Sequence, residues 1–188
     1  MGSHIDVIFA REIESPHDIS ERLNDVFRDR SVELQAVSHD SYDSMAVESI
    51  TWDFLAVPCD GEVPYYLSEG PLGFSVYLYK NCCCLSIGQR FWQLYDPASV
   101  IKTPLRGIIE AVVRSLTVRP IYATLAGGFG DSDAVLDLAY YDGSSFTAIC
   151  DALDKSLGKP ANSWSEMSSG ETPWCLIELA TAPRITQE

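Results

Sequence analysis

Basic residues are scarce in this chain. Its 188 residues hold 13 Lys and Arg against 27 Asp and Glu, a formal net charge of −14. Nucleic acid and anionic membranes are therefore poor partners, since like charges repel. No apolar run approaches the roughly 20 residues that span a bilayer. The N-terminus lacks the basic start and apolar stretch of a secretory signal, and Met1-Gly2-Ser3-His4 reads as a foreign leader with no functional weight. There is no Cys-x-x-Cys pair, no His-Glu-x-x-His and no Gly-x-Ser-x-Gly. The spacings of a structural zinc site, a zinc protease and a hydrolase elbow are thus missing. Internal repeats, low-complexity tracts and a domain linker are absent too.

What is present is enough for one globular domain. The hydrophobic fraction is 46% and the charged fraction 21%, and a chain of this length can bury a core without metals or disulfides. The domain is expected over residues 5–180, with a polar tail at 181–188. Six cysteines do not form a disulfide framework. Cys82, Cys83 and Cys84 are adjacent on an expected strand, where neighbours point to opposite faces, and Cys59, Cys150 and Cys175 lie in apolar surroundings. Free thiols in a reducing cytoplasm are the expectation.

Hydrophobic spacing organises the chain. Strands are expected at Ile5 to Phe9, Val32 to Val37, Ile50 to Val57, Phe74 to Tyr79, Cys82 to Ile87, Ile121 to Ala126, Ala134 to Tyr141 and Trp174 to Leu179, with Phe91 to Tyr95 either a further short strand or an extension of the one before it. Lys80-Asn81 reads as a two-residue hairpin turn. Three helices are expected. Ser15-Pro16 opens the first, which ends near Asp29. The second runs from about Pro104 to Leu116, with Leu105, Ile108, Ile109, Val112, Val113 and Leu116 on one face. The third follows Ser144-Ser145 and ends at Gly158 and Pro160. Strands outnumber helices and several are consecutive. That pattern predicts an α+β fold: one largely antiparallel sheet with about three packed helices.

Candidate chemistry is thin. Gly127-Gly128-Phe129-Gly130 follows a strand, as phosphate-binding loops do. No Lys-Ser/Thr follows it, and the next element reads as a strand, so the phosphate and dinucleotide fingerprints fail. Asp131, Asp133, Asp137 and Asp142 form an acidic group without the closing Glu of a calcium loop. No metal and no cofactor is assigned. His17 and His39 lie in a helix turn and a polar loop, and a Cys–His nucleophile pair distant in sequence stays open. The acidic loops 38–48, with Asp40 and Asp43, and 127–142, with Asp131, Asp133 and Asp142, are candidate partner-binding segments. Tyr65, Tyr66 and Trp164 sit in polar or Pro/Gly-rich stretches, where large amphipathic side chains serve as interface anchors.

In size, acidity, α/β make-up, cysteine usage and lack of catalytic motifs, the chain resembles the small acidic immunity proteins of bacterial polymorphic-toxin and contact-dependent inhibition systems. The resemblance is one of type and carries over no binding residue. It implies a cytoplasmic protein that binds a cognate, basic toxin and occludes its active site. Two alternatives belong to other classes. One is a small metal- or nucleotide-dependent enzyme using Gly127 to Asp142, and the other is an adaptor or structural subunit.

Overall fold

A computed structural model of the chain describes residues 4–39, 54–58, 66–69, 73–127, 130–167 and 172–180. Strand β1 (His4–Ala10) leads into helix α1 (Pro16–Asp29) and helix α2 (Ser31–His39). Strands β2 (Leu55–Pro58), β3 (Tyr66–Glu69), β4 (Phe74–Leu78) and β5 (Cys82–Ile87) follow. A 3-10 turn over Phe91–Leu94 precedes helix α3 (Lys102–Leu116) and strand β6 (Ile121–Gly127). Helices α4 (Gly130–Tyr140), α5 (Phe146–Leu157) and α6 (Trp164–Met167) and strand β7 (Trp174–Glu178) complete it.

The strands form one seven-stranded sheet in the order β2-β3-β4-β5-β1-β6-β7. Every neighbouring pair is antiparallel. The expected α+β fold with an antiparallel sheet is thus the observed one. The central strand β1 shows why both faces are covered. Ile5, Val7 and Phe9 point into one core, beneath α1, α2 and α3. Ile8 points into a second core, beneath α4 and α5. A strand apolar on both sides needs a helical layer on each.

Local chemistry explains the elements that sequence spacing identified. The Ser15 hydroxyl accepts from the Asp18 amide at 3.2 Å and caps α1. In α3 the six residues of the expected face are all buried, none more than 2% exposed. Ser145 caps α5 by accepting from the Ala148 amide at 3.3 Å. The β4–β5 hairpin closes over Lys80-Asn81, with the Tyr79 amide donating to Cys82 O at 2.9 Å. Arg11 seals that end of the molecule, donating to the carbonyls of Ile13, Tyr79 and Glu14.

Three expected strands are corrected. Residues 32–37 lie in helix α2, where Leu34 and Val37, three apart, are buried and Val32 is exposed. Residues 134–140 lie in helix α4, where Val135 and Ala139, four apart, face the sheet. Phe91 to Tyr95 forms the 3-10 turn and its cap. The helical layers therefore hold α2, α4 and α6 besides the three expected helices. Of the strand expected at 50–57, residues 55–57 fall in β2 and residues 50–53 lie outside the described residues.

Candidate functional site

The glycine segment Gly127 to Gly130 was expected to feed a strand; it feeds helix α4 instead. The element type therefore no longer argues against a phosphate site, but the residues do. No lysine follows Gly130, and the range of α4 places Asp131 and Asp133 in its first turn.

Gly127 has a different role. It pairs with His4 in the β1–β6 ladder. A Cβ on it would stand 2.1 Å from Asp6 Oδ2 and 2.2 Å from His4 Nε2. Its missing side chain makes room for a polar group on the inner strand. Asp6 is 2% exposed. His4 Nε2 lies 3.0 Å from its Oδ2, although no N–H is aligned on that oxygen. The Cys84 thiol lies 3.9 Å from Oδ1. This group of Cys, Asp and His was not visible in the sequence, because its members are 78 residues apart and His4 was set aside. Its order is wrong for a nucleophile. The carboxylate stands between thiol and imidazole, whereas an active cysteine needs the imidazole against the sulfur. Burial, with Asp6 and the neighbouring thiols, also pushes the Cys84 thiol well above its ordinary value. The thiols of Cys82 and Cys83 are pushed up to about 12 by burial. Cys175 is likewise raised to about 12, and Cys150 to about 11. All five are free and none is in an activating setting. Cys59 lies outside the described residues.

Trp164 is corrected from an exposed anchor to a core residue, 8% exposed. The polar residues around it are capping machinery. The Glu166 amide donates to Ser163 Oγ, and Glu166 Oε2 accepts from the Asn162 amide at 2.7 Å. The Trp164 ring packs beside Tyr122, with the Arg106 guanidinium 5.0 Å above it. Asp40, Asp43 and Tyr65 lie outside the described residues. Tyr66 opens β3, opposite Leu78. Of the candidates whose side chains are described, Asp142 is exposed after α4 and Trp164 is buried in the first core, so these two share no cleft. A shallow cavity of about 310 Å³ is lined by Val26, Asp29, Arg30 and Ala111 and holds neither cysteine nor histidine. Among the described residues, no three His, Cys, Asp or Glu stand together as a metal site.

What the structure does bring together is charge. Residues 130–157 contain six acids and one base, and they build the helical layer over the second face of the sheet. Asp137, Asp142, Asp151 and Asp154 are all exposed there. Among the described residues, the ion pairs are His4–Asp6, His17–Glu21, Arg28–Asp25 and Arg30–Glu33. None involves Asp137, Asp142, Asp151 or Asp154. The base of this layer is Lys155, and the Lys80 side chain of the β4–β5 hairpin lies against Gly143 at its edge, whereas the arginines of α1 and α3 lie on the other side of the sheet. Arg22 donates to Ser115 O at 2.9 Å, Arg106 to Leu94 O at 2.7 Å and Arg114 to Ala180 O at 2.6 Å. Tyr141, 69% exposed, follows Asp137 by one helical turn and immediately precedes Asp142 in sequence.

No protein family, no curated protein and no solved structure matches this chain. Among the described residues, no helix is long and apolar enough to cross a membrane.

Proposed function

We propose that the chain is an immunity-type protein of the bacterial cytoplasm, which binds a basic cognate toxin and neutralises it by covering its active site. One observation carries this reading. Among the described residues no ion pair involves Asp137, Asp142, Asp151 or Asp154, and these exposed carboxylates of the α4–α5 layer share it with the exposed Tyr141. Such a surface attracts a basic protein from a distance and offers an aromatic anchor on arrival. The electropositive cleft of a nuclease, which must hold a polyanion, is the kind of active site it would cover.

The experiment is co-expression with the toxin encoded beside this gene. Rescue of growth and co-purification are the expected results; failure of both overturns the reading. With purified partners, association should slow by an order of magnitude or more as salt rises from low to above physiological strength, while dissociation changes less. Steering charges are screened over about 8 Å at physiological ionic strength.

A further inference from the structure

Tyr141 is held in place as well as exposed. Its ring meets Tyr140 nearly edge-on at 4.5 Å. Tyr140 meets Tyr79 at 6.1 Å, and Tyr79 stacks on Tyr77 at 6.4 Å with the rings 11° apart. Tyr79 belongs to the β4–β5 hairpin and is 8% exposed, so the series ties the outer ring to the sheet. The backbone adds to this: the Tyr141 amide donates to Asp137 O at 2.8 Å, and Ser144 to Leu138 O at 3.1 Å. An aromatic side chain fixed before binding loses little freedom when a partner arrives. Asp137 lies one helical turn before it and Asp142 directly after it, both exposed.

An exposed aromatic side chain with one exposed carboxylate a helical turn before it and another directly after it in sequence is matched to one side chain in particular. A purely apolar group would desolvate both carboxylates without replacing their water. An ammonium satisfies the charge but is compact and strongly hydrated. A guanidinium is planar, stacks on a ring face, is weakly hydrated and can bond a carboxylate through two N–H groups at once. We propose that Tyr141, with Asp137 and Asp142, is the docking point for an arginine side chain of the basic partner. This rests on the α4–α5 layer being the binding face and names the group that face takes.

The test uses hexa-arginine and hexalysine peptides as probes, by calorimetry on the full chain. The parent should bind hexa-arginine more tightly than hexalysine. Tyr141→Ala should weaken hexa-arginine about two- to fivefold and hexalysine less, while Tyr141→Phe, which keeps the ring, should match the parent. Asp137→Asn with Asp142→Asn should weaken binding more than Asp18→Asn with Glu21→Gln on α1, which changes the charge equally. Amide shifts on adding hexa-arginine should centre on residues 137–142. Equal binding by Tyr141→Ala and the parent overturns the proposal, and so does an equal effect of the two charge pairs or a shift pattern centred elsewhere. The peptides need no toxin. A negative peptide result therefore removes the docking point and leaves the immunity reading to the growth assay. A failed growth assay with Tyr141-dependent peptide binding removes the immunity reading alone.

Discussion

Gly127 illustrates how much one missing side chain can decide. The carboxylate of Asp6 and the ring of His4 occupy the space where its Cβ would be. Gly127→Ala must therefore push one of them aside. His4, whose side chain is 42% exposed, can swing outward, whereas Asp6 is locked in the central strand. The expected cost is about 1–3 kcal/mol, measured by denaturant unfolding, and removing the ring as well, in His4→Ala with Gly127→Ala, should recover part of it. Unchanged stability in the single variant would mean that the ladder is looser than described. The buried thiols give a second test at this scale. A thiol is neutral when protonated, and burial raises the folded value of Cys82 and Cys83 to about 12 from an ordinary 9.0. Their contribution is complete below pH 9 and is lost as pH rises toward 12, because the unfolded chain ionises first. At pH 10 each costs about 1 kcal/mol. Stability should hold between pH 7 and 8.5 and then fall; a flat profile to pH 10 would show that these thiols reach water. Some of this was legible beforehand. Adjacent cysteines on a strand implied opposite faces, and Cys83 indeed lies in one core with Cys82 and Cys84 in the other. The Asp6 cluster was not legible, because only the register of β1 against β5 and β6 assembles it.

Among the elements, those with caps or unambiguous spacing were readable. Helix α3, whose N-cap Ile101 makes no side-chain bond, was readable from its spacing alone, and its apolar face makes a firm prediction. Ile109 is fully buried, so Ile109→Asp places an unpaired charge in the first core and should cost roughly 3–5 kcal/mol. A variant that melts like the parent would contradict the packing. Helices α2 and α4 were misread for opposite reasons. In α2, Val32 and Leu34 mimic strand alternation, but the buried pair is Leu34 and Val37. In α4, residues 134–140 are apolar at every position but Asp137. A nearly continuous apolar run does not distinguish a strand from a helix packed on three sides. Val135 and Ala139 touch the sheet, while Leu136, Leu138 and Tyr140 pack along the flanks. Helix α6 carried a readable start signal, Ser163 three residues before Glu166, whose amide it accepts, while Trp164 is inside because it packs on Tyr122 and under Arg106 in the first core. At the candidate surface, the sequence indicated the acids of 127–142 but not their setting. Reading that stretch as a strand would have scattered the carboxylates over two faces, whereas a helix gathers Asp137 and Tyr141 on one.

For the whole molecule, the sign and placement of charge dominate. Net charge of −14 on 188 residues means that most charged pairs at medium range repel. The attractive pairs do little to offset this. Arg28–Asp25 is exposed on both sides, and such pairs contribute about 0–1 kcal/mol. The arginines bound to carbonyls stabilise loop and helix ends through hydrogen bonds, which salt weakens little. Repulsion acts over distances comparable to the screening length, about 10 Å at 0.1 M salt and about 30 Å at 0.01 M. Raising salt should therefore screen what destabilises the fold more than what holds it. The midpoint of thermal unfolding should rise by several degrees between about 0.01 M and 0.3 M sodium chloride, given about 2–4 °C per kcal/mol for a chain of this size. On the proposed immunity reading, association with a basic toxin should weaken over the same range. On that reading the two responses share an origin, because Asp137, Asp142, Asp151 and Asp154, which make no ion pair among the described residues, would both strain the free protein and steer a basic partner. The decisive variant changes Asp137, Asp142, Asp151 and Asp154 to Asn together. It should melt higher than the parent at low salt, lose most of the salt dependence of its melting, and bind the basic partner more slowly. A variant less stable than the parent at low salt would show that these carboxylates are structural, and the acidic layer would then owe its charge to the fold rather than to a partner.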